Sequence, residues 1–111
     1  MPLVTVLNLK RADDLHEIEQ AIRQALTSMP ELEIKPEEVD LAPVLAPDRF
    51  STNVTRINVD LWIKDVRTKG ALQELAMRVG IAFRAVTDES RHVKVVIRPY
   101  DVGLSGWVSL D

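Results

Sequence analysis

Cysteine is absent from this 111-residue chain. Its absence excludes disulfides, thiolate metal sites and a cysteine nucleophile. Histidine occurs only as His16 and His92, too far apart in sequence to suggest a metal site; both read as solvated or structural. No metal and no cofactor is expected. Aromatic residues make up only 5% of the chain. No apolar run approaches transmembrane length, so no membrane partner is expected. The N-terminus lacks the basic region and long apolar run of a secretion signal. The expected location is therefore cytoplasmic, and the sequon Asn53-Val54-Thr55 carries no meaning without secretion. Positive charge is in deficit, with 14 Lys and Arg against 17 Asp and Glu and a net charge of −3. That balance argues against a nucleic-acid binder working through a basic surface.

What is present is enough for one domain, residues 1–111. The 46% hydrophobic content supports a core, and the 28% charged content argues against disorder. Leu3 to Leu9 reads as a strand with both faces largely apolar. Asp13 follows as a helix N-cap or first-turn acid. A helix runs to about Met29, with Leu15, Ile18, Ile22, Ala25, Leu26 and Met29 on one stripe, and Pro30 stops it. Lys35-Pro36-Glu37-Glu38 is a turn. Val39 to Leu45 is a second strand, in which Pro43 marks an edge or a bulge.

The polar connection 47–53 divides the chain into halves of about 1–50 and 51–111. The pattern then returns. Arg56 to Lys64 reads as a strand with Ile57, Val59, Leu61 and Ile63 on one face. Thr68 to Thr87 reads as a helix with Leu72, Leu75, Ala76, Val79, Phe83 and Val86 inward. His92 to Arg98 reads as a last strand with Val93, Val95 and Ile97 inward. Gly103 marks a turn, and Trp107-Val108 is a short apolar run in the tail. A shift of about 54 residues lays Leu3, Thr5, Leu7 and Leu9 on Ile57, Val59, Leu61 and Ile63, Lys10 on Lys64, and Val39 on Val93. The expected fold class is thus α/β (α+β): two β-α-β units forming one four-stranded mixed sheet, with both helices on one face. The other face would be uncovered. With Val4, Val6, Trp62 and Val96 on it, it would form an apolar patch that predicts oligomerisation.

Met1-Pro2 stands directly ahead of the first strand. Removal of the methionine would leave a secondary amine, and an α-amino group titrates near ~7.7–8.0. Burial would lower that value toward a general base poised near neutral pH. Further motifs follow in order. Arg11-Ala12-Asp13-Asp14 opens the first helix. Lys35-Pro36 lies before the second strand, followed by Val39, Leu41 and Pro47-Asp48. Tyr100-Asp101 and Gly106-Trp107 close the chain. With Met1-Pro2, these resemble the tautomerase superfamily, which includes 4-oxalocrotonate tautomerase and macrophage migration inhibitory factor.

The resemblance implies a homotrimer with active sites at subunit boundaries. It implies that the Pro2 amine moves a proton between the enol and keto forms of a small α-keto acid, while cations hold the substrate carboxylate. Lys35 matches a pocket lysine of the inhibitory-factor branch. Arg98 stands where that branch has an asparagine, and its fork suits a carboxylate; the alternation points it away from the Val93, Val95 and Ile97 face, where an ion pair is the other reading. Arg11 matches the arginine of the short bacterial members, with Lys10 as a second occupant. Tyr100 is placed near the pocket mouth or at a subunit interface. Arg67 reads as a solvated helix-start arginine and Trp62 as inter-subunit core. Asp40 and Asp101 are acids without an assigned place. Two alternatives stand beside the tautomerase: a non-enzymatic trimeric binding module of the same fold, and a ferredoxin-like domain with a different strand order.

Overall fold

The computed structural model describes residues 2–45, 54–104, 106, 108 and 110. Four strands and two helices follow one another as β1 (Leu3–Leu9), α1 (Leu15–Leu26), β2 (Asp40–Leu45), β3 (Val54–Trp62), α2 (Lys69–Ala85) and β4 (His92–Tyr100). Short 3-10 turns occupy Pro30–Leu32, Pro36–Glu38 and Val102–Leu104. The sheet order is β2-β1-β3-β4. β1 runs parallel to β2, β3 runs parallel to β4, and the central pair β1 and β3 is antiparallel. Two β-α-β units thus join through their first strands, and the ferredoxin-like alternative falls. Both helices pack on one face, over a core that includes Val4, Val6, Ile57, Val59 and Leu61 from the sheet, Ile18, Ile22 and Leu26 from α1, and Leu75, Val79 and Phe83 from α2. Pro43 lies in an edge strand, and the β1–β2 ladder is irregular between Val6 and Leu9. Asn8 there has a φ of 70°, a left-handed conformation that Asn tolerates better than most residues. The polar connection 47–53 and Trp107 lie outside the described residues.

The register corrects the expected superposition. Val4 pairs with Val59 and Val6 with Ile57, and all four are fully buried. Val4 and Val6 therefore lie under the helices, not on the uncovered face. Leu3, Thr5 and Leu7 share that open face with Asp60, Asn58 and Arg56, and the row continues through Arg98, Val96 and Lys94. Trp62 and Val96 lie there as expected. The face is a mixture of polar and apolar side chains rather than an apolar patch. The cause is a one-residue slip, which inverts a strand. Opposite Leu41 stands Val4, and opposite Val95 stands Ile57. The first strands correspond at a spacing of 53 residues, whereas the N-caps Asp14 and Thr68, like Val39 and Val93, correspond at 54.

The helix starts carry a second correction. Asp14, not Asp13, caps α1: its Oδ1 accepts from the His16 and Glu17 N–H groups at 3.0 and 3.1 Å. The helix ends at Leu26, short of Met29, where the Thr27 and Ser28 hydroxyls donate back to the Arg23 and Ala25 carbonyls. Leu15 of the expected stripe is exposed.

Asp13 is released to a buried ion pair with Arg91. Their side chains are only 9% and 4% exposed, and Arg91 Nη1 lies 2.8 Å from Asp13 Oδ1. Arg91 Nε also donates to Thr55 Oγ1 at 2.8 Å and Nη2 to the Asn8 carbonyl at 3.3 Å. Its guanidinium carbon sits 5.1 Å from the Phe83 ring centroid. Burial pushes the Asp13 carboxyl up. The Arg91 hydrogen bonds, the Lys10 N–H and the charges of Arg91 and Lys10 together outweigh it, and the carboxyl is held below its ordinary value.

Because the folded state depresses this pKa, the stabilisation is fully present above the unfolded value of ~3.9. It is lost as pH falls through the folded value. Asp13→Asn is expected to cost about 3–5 kcal/mol at neutral pH, since it leaves Arg91 buried and unpaired. Urea unfolding at several pH values checks this: the gap between wild type and variant should narrow below about pH 4.

Candidate functional site

The antiparallel β1–β3 pair sets the end of β3 beside the start of β1. Pro2 is buried there. Its carbonyl accepts from the Asp40 N–H at 3.0 Å, which ties the start of β1 to the start of β2. A cavity of about 330 Å³ opens at this point, lined by Pro2, Glu38, Trp62, Lys64 and Arg67. Trp62 ends β3. Lys64 and Arg67 come from the turn between β3 and α2, closed by a hydrogen bond from the Arg67 N–H to the Lys64 carbonyl at 2.9 Å. Thr68 then caps α2 by accepting from the Ala71 N–H at 3.2 Å, so the sequence fixes where the turn stops. Glu38 ends the Pro36–Glu38 turn. Arg23 of α1 holds that turn by donating to the Pro36 and Val39 carbonyls.

Arg67 is the fixed cation of this cavity. Nε donates to the Leu32 carbonyl at 3.0 Å and Nη1 to the Trp62 carbonyl at 2.7 Å. The side chain thereby bridges the Pro30–Leu32 turn and the end of β3. Burial lowers its pKa, and the Glu33 and Glu38 carboxylates oppose that shift. A guanidinium stays protonated under either influence. Lys64 lies 3.8 Å from the Glu33 carboxylate. Glu33 reaches it from a left-handed backbone, φ 57°, just after the Pro30–Leu32 turn. The cavity therefore sets two cations and one carboxylate around the residue just ahead of the first strand. Such a cavity can accept a small anion and hold it against Pro2.

The other residues singled out from sequence lie elsewhere in the chain. Lys35 is exposed at the N-cap of the Pro36–Glu38 turn and is not among the residues lining the cavity. Tyr100 pairs with Trp62 across β3–β4, and its carbonyl accepts from the Ile63 N–H at 2.9 Å. Arg98 lies on the open sheet face and grips Asp60 in bidentate fashion, Nε to Oδ1 at 2.6 Å and Nη2 to Oδ2 at 2.9 Å. The hydrogen bond and charge of Asp60 raise its pKa. Arg11 follows the far end of β1. At about 3.3 Å per residue that is on the order of 25–30 Å from Pro2, so the two do not meet within one chain. Asp40 contributes its backbone N–H, and Asp101 accepts from the Gly103 N–H at 2.8 Å.

Arg67 is a correction: it is half-buried and anchored, not a solvated helix-start residue. Its position directly before the cap Thr68 of α2 was a usable signal. Lys64 and Glu38 were not identified from sequence. Lys64 becomes visible once the end of β3 is known to lie beside Pro2, and Glu38 once the start of β2 is.

No protein-family model and no curated protein matches this sequence. Solved structures do match along nearly its whole length. A fused 4-OT, an asymmetric trimer, superposes with a TM-score of 0.73 at 16% identity, over 95% of this chain and 91% of that one. A 5-carboxymethyl-2-hydroxymuconate delta-isomerase gives 0.70 at 12% identity, over 100% and 89%. N1, a member of the cis-3-chloroacrylic acid dehalogenase family, gives 0.70 at 12% identity, over 97% and 82%. The likeness is one of fold: the chain shares the architecture of these structures.

Replacing Arg67 with Ala would strand two half-buried carbonyls. The expected loss of stability is about 1–3 kcal/mol, measured by urea unfolding, with weaker binding of a small dicarboxylate such as oxalate in titration calorimetry.

Proposed function

We propose that this protein is a keto–enol tautomerase acting on a small α-keto acid, with the Pro2 amine as general base after removal of Met1. The observation that carries the reading is the burial of Pro2 in a cavity whose cations are Arg67 and Lys64. Cleavage of Met1 turns the Pro2 nitrogen from an amide into a secondary amine. Burial and two neighbouring cations disfavour its protonated form, against the single Glu38 carboxylate, so its pKa is lowered.

Arg67 and Lys64 take the substrate carboxylate. Two of the five N–H donors of Arg67 are used by the Leu32 and Trp62 carbonyls. The charge therefore stands at a fixed point with donors to spare, and no side-chain reorganisation is needed as charge develops on the enolate oxygen. In the ketonisation direction the enol hydroxyl proton passes to the Pro2 nitrogen. The protonated amine then delivers a proton to the carbon next to the forming carbonyl. The reverse reaction removes that carbon-bound proton first. Substrates of hydroxymuconate or phenylenolpyruvate type meet these requirements.

The fused 4-OT whose fold the chain shares is a trimer, and a homotrimer is proposed here as well. The open sheet face would lie against neighbouring copies. A neighbour could then bring its own Arg11, Lys35, Arg98 or Tyr100 toward the Pro2 cavity, which a single chain does not do.

Untagged protein is expected to have a mass lacking Met1 and to ketonise phenylenolpyruvate. Pro2→Ala should lose at least a hundredfold in kcat/KM, the scale of a general base. Activity should fall as pH drops and the amine becomes protonated. Retention of Met1 together with no turnover would favour the non-enzymatic binding module; full activity in Pro2→Ala would remove the proposed base.

A further inference from the structure

Arg67 lines two cavities. Besides the one at Pro2, it borders a groove of about 480 Å³ between α2 and the edge strand β4. The groove is floored by Leu72, Ala76, Val95 and Ile97, with Lys69 beside Arg67 at the same end. Ala76 belongs to the stripe expected to fill the core, yet it is only half-buried. α2 leaves the β4 side chains half-covered: Val93, Val95 and Ile97 pack against the core without being fully buried. The small residues Ala76 and Gly80 keep this side of the helix low. A Cβ at Gly80 would come within 3.3 Å of Val95 Cγ2.

We infer that this groove holds an apolar tail of the substrate, so that the preferred substrates are α-keto or enol acids with an alkyl or aryl chain longer than the Pro2 cavity can contain. The inference rests on the proposed tautomerase reading. Charge and shape both give the tail its direction. The carboxylate and the keto oxygen need a cation, and Arg67 stands in the wall of both cavities. Among the described residues, the Pro2 cavity is bounded by Glu38, Lys64 and Arg67, with Pro2 and Trp62 as its apolar side chains. The apolar surface available to a longer chain lies on the other side of Arg67. The two volumes of 330 and 480 Å³ together fall within the ordinary range for ligand sites of roughly 300–1,000 Å³.

The test uses untagged trimmed protein and straight-chain 2-oxo acids from four to ten carbons, followed by deuterium exchange at C3 in D₂O by NMR. Exchange reports enolisation directly and needs no coupling enzyme. Each methylene that enters the groove should raise kcat/KM about three- to fourfold, from burial of one CH₂. Ala76→Trp should flatten that rise. Gln73→Trp, at an exposed position on the same rim, should act in the same direction and serves if Ala76→Trp does not fold. A flat chain-length series in an enzyme that exchanges 2-oxobutanoate would overturn the tail assignment and leave the Pro2 reading standing. Absence of exchange from every acid would overturn both. A rise with chain length that neither Trp variant alters would place the tail elsewhere and overturn the groove.

Discussion

The antiparallel pairing of β1 with β3 is the constraint on which the rest of the molecule depends. Each half of the chain could bury a parallel strand pair under one helix, but neither would bury enough apolar surface alone. The β1–β3 ladder merges the two half-cores, because Val4 and Val6 stand opposite Val59 and Ile57 and all four close beneath both helices. The same ladder brings the end of the third strand to the beginning of the first. A turn that is distant in sequence, Ile63 to Arg67, thereby becomes a wall of the hollow that Pro2 faces. Fold and candidate site share one cause.

Helix periodicity was the legible part of the sequence. Ile18, Ile22 and Leu26, and Leu75, Val79 and Phe83, recur at helical spacing and are fully buried in the structure. Their partners in the sheet fix both helices to one face. The facing of β1 was not legible, because its two alternating sets are both apolar and hydrophobicity alone does not choose between them. Register with β3 chooses, and register is a long-range property. The helix start was ambiguous for a similar reason. Asp13 and Asp14 are equally good caps, and only the presence of Arg91, distant in sequence, decides which of them turns inward.

Pro2 was legible because it needs only its own position in the chain. Arg67, Lys64 and Glu38 were harder, since the first two reach Pro2 through the β1–β3 pairing and Glu38 through the β1–β2 pairing. Arg11, Arg98 and Tyr100 were named from motif order, and motif order says which end of an element a residue occupies without saying which other ends come near it. The structure separates them: one end of the sheet carries Pro2, the open face carries Arg98 and Tyr100, and the opposite end carries Arg11.

The buried Arg91 has a consequence for how many hollows the chain can hold. A repeated β-α-β unit offers two equivalent ends. At the strand spacing of 53 the counterpart of Pro2 is Thr55, and at the cap spacing of 54 that of Arg67 is Asp13. Arg91 bonds both of these counterparts. At one end the cation is carried by the residue preceding the helix cap, beside an empty space. At the other end that residue is an acid, and an arginine from the opposite side occupies the space. The halves have kept their backbone likeness while exchanging the signs of their charges. Among the described residues, the repeated fold therefore presents a cavity at one end and a buried ion pair at the other.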